Sequence, residues 1–264
     1  MPAPDGRRSL PLILYESQRK ERTWCLLTER ESDIEPDVRD IEKELGGLID
    51  QEYREGLTRT VPTSWTIRGV RVPELKRIAK EHSKGKKTEE GYSAVIRFVD
   101  DAFRHEDREL ALVGLNMLMP FKKFFDSGLA TKSREWIANV HDWEICDNLA
   151  YVIMSELLMK GLFTEEDLLY LRDHENLFAR RAYIVCGVIP LRNGWGDTDK
   201  NLSDISYFAQ DRDHYMVKAL SWALRSAVKS SPQEVSEFLD EYRDTLHPSI
   251  VREVTNKLEK GTKR

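Results

Sequence analysis

The chain is poor in the residues that would commit it to a turn-rich or covalently braced fold. Its 264 residues include only 14 glycines and 10 prolines, few for the many tight turns of a sheet protein. The three cysteines, Cys25, Cys146 and Cys186, are too scattered for a disulfide framework, and none sits at zinc-ligand spacing. A reducing, cytoplasmic setting is the expectation. No apolar run approaches the roughly 20 residues that cross a bilayer, and the stretch Leu10 to Tyr15 is shorter than the roughly 7–15 residues of a signal-peptide core. Membrane insertion and export are therefore not expected. A phosphate-binding glycine loop and a serine–histidine arrangement are also missing, so the sequence calls for no cofactor and no metal.

What the chain does have is charge and a helical rhythm. Apolar residues make up 40%, enough for a continuous core, and charged residues 33%, above the roughly 25% of an average protein. That combination favours many helices with exposed faces, an all-α class. The formal net charge of −5 gives no global attraction to a polyanion. Locally, however, Arg59 to Lys87 carries nine basic residues against two acidic ones. Such a stretch fits either phosphate contacts or a solvated basic face.

Residues 1–36 read as an extension: the apolar stretches Leu10 to Leu14 and Trp24 to Leu27 flank the charged Glu16 to Arg22 without a sustained helical period. Residues 37–260 read as one helical domain and 261–264 as a tail. Ile41, Leu45, Leu48 and Ile49 fall on one helical face; Leu75, Ile78 and Ala79 follow Pro73; Val95, Ile96, Val99 and Phe103 follow a start at Thr88. Further helices are expected from Glu106 to Met119, Ser127 to Asn139, Trp143 to Lys160, Thr164 to Arg172, Asn176 to Leu191, Asn201 to Ala209, Asp211 to Lys229, Pro232 to Asp244 and Pro248 to Lys260. Thr164 and Ser231 open capping-type starts, and Gly161 stands where a left-handed C-cap belongs. Consecutive helices pair into units of roughly 35–45 residues, the rhythm of a curved superhelical stack of antiparallel helix pairs. The second helix of each pair then lines the concave face, where function is sought.

Three segments carry chemistry. In Val140 to Leu149, Trp143 and Asp147 lie four apart, an aromatic plane beside a carboxylate, with Asp142 placed as the N-cap and Glu144 facing elsewhere. A cation receptor and an ordinary core tryptophan with a surface acid both fit. In Asn176 to Val185, Arg180 and Arg181 interrupt an apolar helix, and only one of them can share its interior stripe. That arginine can grip a phosphate, or form an ion pair with Asp173, Glu175 or an acid on the next helix. In Met216 to Arg225, Lys218, Trp222 and Arg225 form a stripe with an indole between two cations, suited to nucleic-acid stacking or to snorkelling side chains over a core tryptophan.

In this order, and preceded by Gly69-Val-Arg-Val-Pro73-Glu-Leu-Lys-Arg77, the segments resemble the AlkD-type DNA alkylation repair glycosylases, stacks of HEAT-like repeats. The resemblance covers about Asp37 to Lys260. It implies hydrolysis of the N-glycosidic bond of N3- and N7-alkylated purines in double-stranded DNA by a monofunctional enzyme in base-excision repair. It further implies Asp147 as catalytic aspartate, Trp143 and Trp222 as groove-lining tryptophans and Arg181 as the phosphate-facing arginine, acting without extruding the damaged base. Arg180, Lys218, Arg225, Arg71, Lys76 and Arg77 are the expected further DNA contacts, and a monomer without membrane partners is expected. The long N-terminal segment and the acidic overall charge depart from the family pattern.

The set makes physical sense by itself. A cationic alkylpurine is already a good leaving group, so what remains is to stabilise an oxocarbenium-like sugar and to place a water, both tasks for one carboxylate. The competing expectation is a non-catalytic helical-repeat scaffold that binds DNA or protein along the same face. A wholly structural role for the four residues is the third.

Overall fold

The structure, a computed structural model, describes residues 38–263. The readings of residues 1–36, Cys25 included, lie outside the described residues. The protein is all-α, and among the described residues the one β-type contact is an isolated bridge between Thr66 and Asp107. In chain order the helices are α1 (Val38–Gly46), α2 (Gln51–Thr60), α3 (Val72–Ser83), α4 (Glu89–Arg104), α5 (Arg108–Leu118), a 3₁₀ turn (Met119–Phe124), α6 (Ser127–Ile137), α7 (Trp143–Asn148), a π turn (Leu149–Met154) and α8 (Ser155–Met159). There follow α9 (Glu165–Arg172), α10 (Leu177–Cys186), α11 (Val188–Asn193), α12 (Thr198–Ser206), α13 (His214–Ala227), α14 (Pro232–Tyr242) and α15 (Pro248–Lys260). None of them is long and apolar enough to cross a membrane.

The starts follow the capping chemistry of the sequence. Thr88 accepts from the Gly91 amide ahead of α4, and Thr164 with Asp167 closes a reciprocal capping box at α9. Gly161 takes a left-handed φ of 68°, as expected of a C-cap. Ser231 differs: its hydroxyl lies near those of Ser230 and Thr198 and caps nothing, so α14 starts on Pro232 alone. The expected helix through Ile49 ends at Gly46, which leaves Leu48 and Ile49 in the link to α2. Helix α2 went unforeseen because Leu57 is its single buried residue, which leaves no apolar stripe to read. The segment expected from Asn201 to Ala209 begins three residues earlier, where Asp197 caps Lys200, and Gly187 divides α10 from α11.

Packing sorts the helices into two rows. Helices α3, α5, α7 with its π turn, α10, α13 and α15 each pack on the next, while α4 packs on α6, α6 on α9, and α12 on α14. The hairpins α4–α5, α9–α10 and α14–α15 join the rows. This order fits a HEAT-like stack, in which each apolar face is covered only by its neighbours. Gly114 lets α4 and α5 approach: a Cβ there would meet Val99 Cγ2 at 2.8 Å and Phe98 Cδ1 at 3.0 Å.

One buried ion cluster joins α5 and α7 in the row that runs from α3 to α15. Arg108, at the start of α5, is fully buried and donates from Nε to Asp142 Oδ2 at 2.5 Å and from Nη2 to Glu144. The other Asp142 oxygen caps α7, accepting from the Glu144 amide at 2.6 Å and from that of Ile145. Arg108 thus ties the first turn of α7 to α5. Removing it strands two carboxylates away from water. We expect Arg108→Met to lower the unfolding free energy by about 3–5 kcal/mol in chemical denaturation.

Candidate functional site

Because Asp142 caps α7, the side chains that follow it have fixed directions. Trp143, the first residue of the helix, remains 39% exposed, so it is not the core tryptophan of the alternative reading. Asp147 lies one turn further, half-buried on the same face. Glu144 turns to Arg108, away from that pair.

Arg181 comes from α10, whose N-cap Asn176 is anchored by donating to the carbonyls of Ala138 and Val140 in the approach to α7. That anchor sets the two helix starts against each other. Arg181 is only 5% exposed and grips Asp147 bidentately, Nε to Oδ1 and Nη2 to Oδ2, both at 2.8 Å. Its Nη1 donates to the Tyr215 carbonyl in the first turn of α13 at 2.5 Å. One guanidinium therefore links three successive helices of the row. The ion pair differs from those weighed in the sequence, since its acid is Asp147 on the preceding helix of the row. Arg180 points away and donates to the carbonyls of His174 and Glu175, so one arginine takes the interior stripe and the other does not.

On α13, Lys218 is exposed, while Trp222 is half-buried with its ring stacked on Tyr151 at 5.1 Å and 25°. Tyr151 belongs to the π turn and lies four residues beyond Asp147. Arg225 turns inward, with Nε 3.2 Å from Ser221 Oγ and 3.7 Å from Glu253. On α3, Arg77 is engaged by Glu74, Glu81 and Glu44, and Arg71, its N-cap residue, pairs with Asp50 at 2.7 Å while covering the Tyr53 ring. Arg68 likewise pairs with Glu42 and Asp107. Lys76 is exposed, and its charge is felt at Glu144. Three of the nine basic residues from Arg59 to Lys87 are thus paired with acids at short range, while Lys76, Lys80, Lys84 and Lys87 stay exposed.

Burial pushes the Asp147 carboxyl above its ordinary range; Arg181 pulls it back through hydrogen bonds and charge, and Asp142 adds to the rise. The same pair holds Arg181 more firmly protonated despite its burial. Neighbouring Cys146 is a buried free thiol that burial pushes well up, and its Sγ contacts the Phe178 carbonyl. It has the environment of a structural residue. Among the described residues no group of three or more histidine, cysteine or acidic side chains is placed to hold a metal.

The structure therefore joins Asp147, Arg181 and the Tyr215 carbonyl directly, keeps Trp143 one turn away, and reaches Trp222 through Tyr151. Lys218 stays on the surface of the same row. Arg71, Arg77, Arg180 and Arg225 are engaged by carboxylates or carbonyls. Sequence reasoning missed Tyr151, whose spacing of four from Asp147 and eight from Trp143 would have pointed to it. It also passed over Arg108, which stands between Asp107 and Glu109 and carries no local sign of burial.

Among solved structures, a predicted DNA alkylation repair enzyme from Enterococcus faecalis is similar over 80% of this chain and 97% of that one, with a TM-score of 0.67 and 17% identity. At that identity the likeness speaks for the fold. No curated protein matches the chain. The family described as DNA alkylation repair enzyme matches residues 41–258, from the first turns of α1 to the last turn of α15, with the Asp147–Arg181 pair and both tryptophans inside the match. The chain is a member of that family of DNA alkylation repair enzymes.

Proposed function

We propose that the protein is a monofunctional DNA glycosylase that hydrolyses the N-glycosidic bond of cationic N3- and N7-alkylpurines in double-stranded DNA. The observation that carries this reading is the Asp147 carboxylate, held by Arg181 one turn from the exposed Trp143. An alkylated purine bears a positive charge and leaves without a general acid, so the barrier lies in the charge that develops on the deoxyribose. Asp147 meets that charge. A carboxylate offers about four lone-pair directions, and Arg181 occupies two, which leaves acceptor capacity for the water that attacks C1′. The grip also spares the reaction the cost of orienting the acid. Trp143 presents a π face that favours a cationic nucleotide over a neutral one.

In this scheme Arg181 is first of all the residue that orients Asp147. The phosphate contact implied by the family resemblance falls to the two of its five N–H groups that the three hydrogen bonds leave over. Lys218 and Lys76, exposed on α13 and α3, are the further candidates for phosphate contacts. One observation favours a second reading, a helical-repeat scaffold without catalysis. The engagement of Arg68, Arg71, Arg77 and Arg225 by carboxylates leaves the row less basic than a DNA-binding surface commonly is.

Release of free 7-methylguanine from methylated duplex DNA separates the two readings. We expect release by the wild type and a loss of about a hundredfold or more in Asp147→Asn; its melting temperature falls, because Arg181 is left buried without a counter-charge, so release is compared at a temperature where circular dichroism shows both proteins folded. Equal release by both proteins, or none by the wild type, refutes the glycosylase. Arg181→Lys keeps the charge but loses the bidentate grip, and we expect it to slow release about tenfold. The ionised carboxylate is the working form, so activity falls as pH falls through the Asp147 pKa. Burial raises that pKa, and the acid limb of the rate profile is expected above the ordinary aspartate value of about 3.9.

A further inference from the structure

The π turn that follows Asp147 needs a reason, because such turns are rare and give up regular α-helical hydrogen bonding. It runs from Leu149 to Met154 and is held at its end by Ser155, a fully buried residue. The Ser155 amide donates to the Ala150 carbonyl five residues back, and its hydroxyl lies 3.3 Å from the same oxygen and 2.7 Å from the Cys186 carbonyl at the end of α10. The wider turn is thus fastened to the neighbouring helix. Within it, Leu149, Ala150, Ile153 and Met154 are buried, while Tyr151 stays half-exposed. Its ring lies nearly parallel to that of Trp222, with centroids 5.1 Å apart.

We propose that Tyr151 is a positioning residue of the site, whose ring, set by the π turn one helical turn beyond Asp147, holds the Trp222 indole in place. The inference rests on the glycosylase reading for its rate consequence, but not for its geometry. Trp222 is half-buried and stands on α13, and the stacking partner that ties it to the helix of Asp147 is Tyr151. Offset stacking fixes both the tilt and the distance of an aromatic pair, so the ring of Tyr151 limits the rotamers open to the indole. Phenylalanine supplies the same face, and alanine does not. The phenol oxygen is therefore dispensable and the ring is not.

The test compares Tyr151→Phe and Tyr151→Ala in two readouts. The first is the emission maximum and acrylamide quenching of Trp222, isolated by subtracting the spectra of matched Trp222→Phe proteins. The second is single-turnover base release from methylated duplex DNA. We expect Tyr151→Phe to match the wild type in both. Tyr151→Ala is expected to red-shift Trp222 and raise its quenching, and to slow release by about tenfold, the scale of one lost aromatic pair. Wild-type Trp222 emission in Tyr151→Ala overturns the proposal, as does wild-type release from a protein whose Trp222 has shifted. A wild type that releases no base refutes the glycosylase reading alone, and the fluorescence comparison then decides the role of Tyr151.

Discussion

A guanidinium with almost no access to water, set between a carboxylate on one helix and a carbonyl on another, is the constraint around which the site is arranged. Taking Arg181 and Asp147 out of water costs several kcal/mol per ion, and their attraction offsets this only when geometry and remaining hydrogen bonds are good. Both conditions are met: the grip is bidentate, and the third donor direction ends on Tyr215. The pair therefore acts less as a source of stability than as a fixed coordinate. It tells α7, α10 and α13 where they stand relative to one another.

The rest of the row from α3 to α15 serves that coordinate from both sides. Toward the N-terminus, Arg108 holds the capping carboxylate of α7 and so sets the direction in which Trp143 and Asp147 project. Toward the C-terminus, the π turn places Tyr151 against Trp222. Repeat stacks suit such a design because each helix meets only its neighbours, so three adjacent helices can be locked without constraining distant ones. The neutralised arginines of the first repeats have a related consequence. With Arg68, Arg71 and Arg77 engaged by acids, the cations of these repeats that remain exposed are lysines such as Lys76, Lys80, Lys84 and Lys87.

Much of this was legible in the sequence where the signal was local. The Asp142 cap, the capping box at Thr164 and the left-handed Gly161 are short-range patterns, and the order of helices follows from them together with the apolar period. The spacing of Trp143 and Asp147 put both on one face. What local reasoning could not supply was partnership at a distance. Asp147 and Arg181 lie 34 residues apart, and nothing in either segment says that the acid of one is the counter-ion of the other. Arg108 went unread for the same reason: flanked by Asp107 and Glu109, it looks like a solvated charge, yet its partners come from α7. The π turn was hidden because Leu149 to Met154 fits an ordinary apolar helix, and only the Ser155 contact with the Cys186 carbonyl distinguishes it.

The proposed chemistry requires Asp147 and Arg181 to work as one unit at the reacting centre. A double-mutant cycle on the rate of base release, with Asp147→Asn, Arg181→Met and the combined protein, tests it most directly. A working unit is broken by either change, so the combined protein should be no slower than the slower single variant. Losses that multiply in the combined protein would show two independent residues and contradict the claim.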